Sequence, residues 1–317
     1  MSLAPPPVRT VAPAAATVYA PAEPVELLGT VAPLGRGRAD PTFRLTPSGS
    51  VWRTIRTPEG SATLRLAQAP DGAIHAAGWG AGAEWVVDGV PELLGAGDDW
   101  TGLDVRDVPL LQETRRRHPG LRLTRCRQVF EMMAAAILEQ KVTSVEARRS
   151  WARLVTQHGT PAPGPAPAGM RVAPDALGWS RIPSWDWHRA GVDPKRSRAV
   201  VEAARVAPGL ERTLQIGRGG AEVARRLRTV PGVGIWTAAE TSQRAHGDAD
   251  APSVGDYHLP ALVGQALTGA AVDDDGMLEL LEPWRGHRQR VMRLITCSGV
   301  RTPRRGPRIT IQDHRFH

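Results

Sequence analysis

The hydrophobic period of this chain changes once, near Gly120, and that change limits what the chain can fold into. From about Val25 to Gly80, Ala62, Leu64 and Leu66 alternate with Thr63 and Arg65. That is the period of a strand with one buried face. Pro47-Ser48-Gly49, Pro58-Glu59-Gly60 and Pro70-Asp71-Gly72 punctuate the region as turns, and Ile74 and Ala76 resume the pattern. These signals predict a small antiparallel sheet, with helices around 90–96 and 107–117. Past Gly120 the period is helical. Phe130, Met133, Ile137 and Leu138 share one face of a helix ending near Gln140. Thr143 and Glu146 form a capping box that opens a helix burying Val145, Trp151, Leu154 and Val155. After a Pro-rich loop from Thr160 to Gly169, Asp193-Pro194 caps a helix running to about Val206. Further helices are expected at 220–228, 235–246, 257–268, 274–282 and 286–298.

The expected fold class is therefore α+β. A Pro/Ala-rich tail (1–24) precedes a small N-terminal antiparallel sheet domain with helices (25–105). An all-α domain (106–300) and a basic tail (301–317) follow. A content of 41% hydrophobic and 23% charged residues supports a packed core rather than global disorder. No run approaches the roughly 18 apolar residues of a membrane span. The N-terminus lacks a continuous apolar stretch and reads as a disordered tail rather than a signal peptide, so a cytoplasmic location is expected. Cys126 and Cys297 are too few for a disulfide framework or a four-thiolate iron–sulfur cluster, and are read as reduced, buried thiols. His314 and His317 are two groups that could in principle hold a metal, but they are read as part of a mobile basic tail.

The net charge of +8 is unevenly spread: residues 1–119 carry −2, residues 120–300 carry +6 and the tail +4. Attraction to a polyanion therefore belongs to the helical half.

Within that half, the stretch Leu227-Arg228-Thr229-Val230-Pro231-Gly232-Val233-Gly234-Ile235-Trp236-Thr237-Ala238 ends one helix, turns through two glycines and starts another. Glycine permits positive φ and lets a phosphate approach without a Cβ in the way. The amides of Gly232, Gly234 and the next helix's first turn then face that phosphate, aided by the helix dipole. Recognition through the backbone carries no base preference. An ordinary helical turn would also read this way. Twenty residues beyond Trp236, Val254-Gly255-Asp256-Tyr257-His258-Leu259 places Asp256 where a helix should start, so it would serve equally as a cap.

Taken together, the hairpin and the glycine-flanked loop ending in Asp256 resemble the helix-hairpin-helix (HhH-GPD) DNA glycosylase superfamily. Pro119-Gly120-Leu121-Arg122 and Phe130-Glu131 through Ile137-Leu138-Glu139-Gln140-Lys141-Val142-Thr143 are similar to its DNA-3-methyladenine glycosylase II branch. Gly191-Val192 with Lys195 to Ala199, and Glu282-Pro283-Trp284-Arg285 with Arg288, resemble later helices of that branch. The resemblance spans about residues 25–300.

The resemblance implies a glycosylase of base excision repair acting on double-stranded DNA with damaged bases. It would work as a monomer, associated with the nucleoid, on flipped-out alkylated purines of the 3-methyladenine type. It makes Asp256 the catalytic residue, stabilising an oxocarbenium-like transition state. Trp236 becomes a wall of the base pocket, with core packing as its other reading. Val230, Gly232, Val233, Gly234 and Thr237 form the phosphate-binding hairpin, and Gln140, Lys141 and Arg288 are further DNA contact candidates. No metal site, cofactor or iron–sulfur cluster is expected, although the backbone carbonyls around 228–233 would have room for a monovalent cation. Members that also cut the strand carry a lysine where this chain has Trp236, and its only lysines are Lys141 and Lys195. No AP lyase activity is therefore expected. Two positions depart from the pattern. Lys141 stands where relatives place a gap-filling side chain, and Thr296 stands where some alkylation enzymes place an aromatic. They leave open a glycosylase for deaminated or oxidised bases, with His258 a weak candidate for a second acid, or a non-catalytic binder of damaged DNA.

Overall fold

Alternation puts Ala62, Leu64 and Leu66 on the buried face of a central strand, and the sheet grows from it. In the computed structural model, which describes residues 11–302, the strands of the main sheet are β1 (Ala15–Tyr19), β2 (Phe43–Leu45), β3 (Val51–Thr57), β4 (Gly60–Gln68) and β5 (Ile74–Trp79), and Thr160–Pro161 pairs with Arg171–Val172 in a separate two-stranded sheet. They pair antiparallel in the order β1-β5-β4-β3-β2. Residues 15–19 were expected in a disordered tail. They instead form an edge strand, with Thr17 opposite Ala76 and Tyr19 opposite Ile74. Prolines at 13 and 21 flank the segment and Val18 is exposed, so its stability comes from pairing with β5, a long-range partner with no local signature.

The helices are α1 (Leu27–Val31), α2 (Ala83–Asp88), α3 (Val90–Leu93), α4 (Pro109–Arg117), α5 (Val129–Leu138), α6 (Ser144–His158), α7 (Ala176–Ser180), α8 (Ser184–Arg189), α9 (Pro194–Arg205), α10 (Ala207–Glu211), α11 (Ala221–Leu227), α12 (Ile235–Ala245), α13 (Leu259–Thr268), α14 (Asp274–Leu281) and α15 (Arg288–Cys297). The architecture is α+β. The expected caps are present. Glu146 N donates to Thr143 Oγ1 and Thr143 N to Glu146 Oε2 at the start of α6, and Asp193 accepts from Lys195 N and Arg196 N at α9. Val145, expected in the core, lies in the first turn of α6 and is exposed, while Trp151, Leu154 and Val155 are buried as read.

Two large cores and a small cluster of Trp52, Trp79 and Met170 hold the described residues together. One is continuous from the sheet into the central helices, joining Ile55, Leu64 and Val86 to Met133, Ile137, Trp151 and Leu227. The other joins Trp100, Leu103, Val105 and Leu111 to Val263, Met277, Leu281, Val291 and Leu294 of the C-terminal helices. Residues on both sides of position 105, the expected domain boundary, thus share one core. Cys126 is buried and Cys297 half-buried, and both are free thiols. No helix among the described residues is long and apolar enough to cross a membrane. His314 and His317 lie outside the described residues, as does most of the basic tail.

Candidate active site

Between α11 and α12 the chain turns in seven residues. Val230 and Val233 are buried at the base of the turn, and Val233 N donates to Val230 O at 3.0 Å. Their side chains anchor the hairpin and leave its backbone outward. Gly232 has φ +86°, and a Cβ there would meet the Ala199 Cβ of α9 at 2.9 Å. Both facts demand glycine. Gly234 differs: its backbone is extended, and a Cβ would meet nothing within 4 Å. Among the described residues, the amides of Gly234, Ile235, Trp236 and Thr237 donate to no backbone carbonyl. This open row at the start of an eleven-residue helix leaves backbone donors where the helix dipole favours negative charge.

Gln140 braces the turn from α5. Its Nε2 donates to Gly232 O at 2.9 Å and to Thr237 Oγ1 at 2.8 Å, so Gln140 and the buried Thr237 hold the hairpin's shape. Lys141 follows directly, exposed and with φ +53°, a left-handed backbone seldom adopted outside glycine and asparagine. Lys195, Arg198 and Arg228 are also exposed nearby, and none of the four has an ion pair among the described residues. The hairpin is thus bordered by free positive charge.

Asp256 closes the loop before α13. Its Oδ1 accepts from His258 N at 2.8 Å and Leu259 N at 2.9 Å, the capping geometry anticipated for it. Its Oδ2 accepts from Trp236 Nε1 at 3.1 Å. Trp236 is half-buried beside the carboxylate, and it does not line the adjoining cavity. It thus holds Asp256 from outside that cavity, where the resemblance implied a pocket wall.

Three sets of contacts fix the Asp256 loop. Ser253 Oγ donates to Glu240 Oε1 of α12, Gln243 Nε2 donates to Ala251 O and Ser253 Oγ, and Arg244 pairs with Glu240. From α14, Asp274 accepts from Gly255 N at 2.9 Å. From α15, Arg288 grips Asp250 through two hydrogen bonds of 2.7 Å, which holds that carboxyl below its ordinary range. The Arg288 Nε and Nη2 are engaged by Asp250, so the side chain expected from sequence as a DNA contact is tied to the loop.

Asp256 borders a cavity of about 230 Å³. α1 and the turn after it supply Thr30 and Pro33, α12 supplies Glu240, Gln243 and Arg244, and α15 supplies Gln289, Met292, Arg293 and Thr296. Thr296 was placed here by register. Thr30, Glu240, Gln289 and Arg293 went unread, although Gln289, Arg293 and Thr296 follow helical spacing on α15 and Glu240 lies one turn past Trp236. Neither lysine lines the cavity.

This fold, a sheet joined to two groups of helices, is shared by solved structures of DNA glycosylases. A 3-methyladenine DNA glycosylase from Archaeoglobus fulgidus superposes with a TM-score of 0.69 at 17% identity, over 89% of this chain and 98% of that one. The apo-form 8-oxoguanine glycosylase/lyase of Clostridium acetobutylicum gives 0.68 at 14% identity, over 90% and 96%. The same Clostridium enzyme, in complex with double-stranded DNA containing cytosine opposite 8-oxoguanine, gives 0.63 at 15% identity, over 86% and 91%. No family model matches the sequence, and no curated protein matches it.

Proposed function

We propose that this chain is a monofunctional DNA glycosylase, which flips a damaged base into the cavity beside Asp256 and hydrolyses its N-glycosidic bond. The observation that carries the reading is the Asp256 carboxylate, held by three donors at the cavity edge within one hydrogen bond of the helix that follows the hairpin turn. The open amides of Gly234 to Thr237 grip a phosphate without reading sequence. Flipping costs a few kcal/mol and costs least at a damaged pair. As the glycosidic bond lengthens, positive charge builds on the sugar, and the fixed Asp256 carboxylate stabilises it. The same carboxylate accepts a proton from the water that attacks C1′.

A Schiff base with the sugar needs an amine beside that carbon. Position 236 offers an indole, and both lysines lie off the cavity, so the product is an intact strand with an abasic site. The hairpin also suits a monovalent cation, because the carbonyls of Arg228, Thr229 and Val233 accept no hydrogen bond among the described residues. Such an ion would add positive charge near the bound phosphate. The sequence resemblance favours an alkylated purine of the 3-methyladenine type.

The test is incubation with duplexes carrying single lesions, followed by electrophoresis with and without alkali. The expected result is cleavage at the lesion only after alkali. Cleavage without alkali, or trapping by borohydride, overturns the monofunctional assignment. Absence of alkali-labile sites across the lesion panel, with DNA still bound, overturns the enzyme and leaves a binder of damaged DNA.

A further inference from the structure

The segment before β2 is fastened to the corner from which the hairpin is braced. Arg36 Nη1 donates to Glu139 Oε1 at 3.0 Å, one residue before Gln140, whose amide holds Gly232. Asp40 accepts from Arg36 N, Thr42 N and the indole of Trp151, which fixes residues 36–42 against α6. Arg148 of α6 lies over that turn, and a Cβ placed on Gly37 would stand 3.1 Å from its Cδ. Arg44 of the edge strand β2 donates through Nη1 to Arg38 O at 3.4 Å. Arg38, Arg44 and Arg148 are thus gathered in one place, the first and last exposed and Arg44 half-buried. The exposed residues Val145, Arg148 and Arg149 of α6 lead from there back towards Lys141.

Charge in this region is one-sided. Residues 36–44, 139–149, 191–198 and 228–234 together hold ten basic and four acidic side chains, a net +6. All four acids are occupied within the fold. Glu139 pairs with Arg36 and Asp193 with Arg196, Asp40 holds its turn, and Glu146 closes the capping box of α6. Arg38, Arg44, Arg148 and Arg149 have no ion pair among the described residues, the condition already met at the four basic residues beside the hairpin. None of these four arginines lines the cavity beside Asp256. Like charges left unpaired repel one another, and a polyanion relieves that repulsion. A strip of them fits a repeating chain of negative charges better than one small anion.

We propose that Arg38, Arg44 and Arg148 form a second contact surface for duplex DNA, holding its backbone beyond the phosphate taken at the hairpin. The partner is the duplex itself, and the assignment rests on the glycosylase reading in placing DNA at the hairpin. A guanidinium fork matches a phosphate with two parallel hydrogen bonds. Each phosphate neutralised here releases counterions, so the strip adds affinity at low salt and carries no base preference. The segment before β2 thereby gives the N-terminal sheet a share in the DNA contact. The Arg36–Glu139 pair and the Gln140 bond to Gly232 join the two anchors through one end of α5.

The test measures the Kd of the full chain for an undamaged duplex across a salt series, with thermal melting as the control for folding. The variants are Arg38→Ala, Arg148→Ala, both combined with Arg44→Ala, and the charge-keeping Arg38→Lys and Arg148→Lys. Arg212→Ala is the comparison, exposed and without an ion pair among the described residues. It adjoins Glu211, which binds the amides of Val129 and Phe130 at the far end of α5. Each alanine should reduce the slope of log K against log salt by about 0.9, and the triple variant by about 2.7. The parent's advantage over the triple variant should then shrink about 40-fold between about 50 and 200 mM salt. The lysine variants and Arg212→Ala should keep the parent slope. If Arg44→Ala disturbs folding, the Arg38 and Arg148 double variant carries an expected change of about 1.8. A folded triple variant with the parent slope overturns the proposal, and weaker binding by Gly234→Leu on the same duplex then leaves the glycosylase reading standing. An equal loss of slope in Arg212→Ala also overturns it, since net charge alone would then explain the effect. A parent chain that does not bind the duplex overturns both.

Discussion

Trp236 Nε1 donates to Asp256 Oδ2 at 3.1 Å, so the first turn of the hairpin's second helix holds the carboxylate directly. With Oδ1 occupied by His258 N and Leu259 N, the plane of the carboxylate is set from both sides. On the proposed function, a single side chain registers DNA held at the amides of α12 against the reacting group.

Removing that donor while keeping a ring should separate chemistry from binding. A hydrogen bond to a charged group contributes about 1.5–3 kcal/mol. Trp236→Phe is therefore expected to lower the single-turnover rate about 10- to 100-fold, with the duplex Kd within about threefold. An unchanged rate would show that the indole does not orient Asp256.

The two hairpin glycines should respond differently. At Gly234 a side chain enters open space, so Gly234→Leu is expected to leave the melting temperature nearly unchanged and to weaken DNA binding by blocking the phosphate. At Gly232 the backbone is left-handed and the Ala199 Cβ stands at 2.9 Å. Gly232→Ala should therefore cost about 1 kcal/mol or more of stability as well. Binding measured alongside thermal melting checks both, and full affinity in Gly234→Leu would contradict the hairpin's role.

Asp98 should be a stability hot spot. Its Oδ1 pairs with Arg290 of α15 at 2.6 Å, and its Oδ2 accepts from Leu123 N and Trp100 Nε1, each at 2.6 Å. Both charged side chains are buried, so removing one strands the other, at about 3–5 kcal/mol. Asp98→Ala, followed by denaturant unfolding, is expected to show a loss of that size. A loss below about 1 kcal/mol would contradict it.

Stability should carry two opposed pH dependences. Burial, with the Arg125 charge adding, lowers the His246 pKa from 6.5 to about 4. Between those values the unfolded chain binds the extra proton, so His246 lowers stability as pH falls from 6.5 towards 4, by about 3 kcal/mol at most. Burial, aided by the Glu131 charge and opposed by the amides of Phe130 and Val129, raises the Glu211 pKa from 4.5 to about 7. Here the folded chain binds the extra proton, and stability falls as pH rises through that window. The slopes mask each other in the parent protein. Urea unfolding at pH 4.5 and 7.5 should show His246→Gln gaining on the parent at the lower pH and Glu211→Gln at the higher. Parallel curves would contradict both assignments.

Much of this arrangement was legible in the sequence because it is local. The capping box of Thr143 and Glu146, the Asp193 cap, the Pro-Gly-Val-Gly turn and the helix-start position of Asp256 all depend on neighbours within a few residues. The missed features depend on distant partners. β1 exists only because β5 pairs with it, and Thr30 reaches the cavity because α1 packs beside helices more than 200 residues away. Arg288 reads as a free basic residue until Asp250 is seen against it. Arg293 and Gln289 were on a readable helical stripe. That stripe borders the cavity only because the loop bearing Asp256 folds over it.

Asp256→Asn tests the central claim most directly. Asparagine keeps the side-chain shape and an oxygen that can still accept from the His258 and Leu259 amides, while removing the negative charge the mechanism needs. The measurement is single-turnover formation of alkali-labile sites on a lesion duplex, beside the affinity for the same duplex. The account predicts a loss of at least about 1000-fold in rate, with duplex affinity within about threefold. Hydrolysis persisting near the parent rate would contradict it.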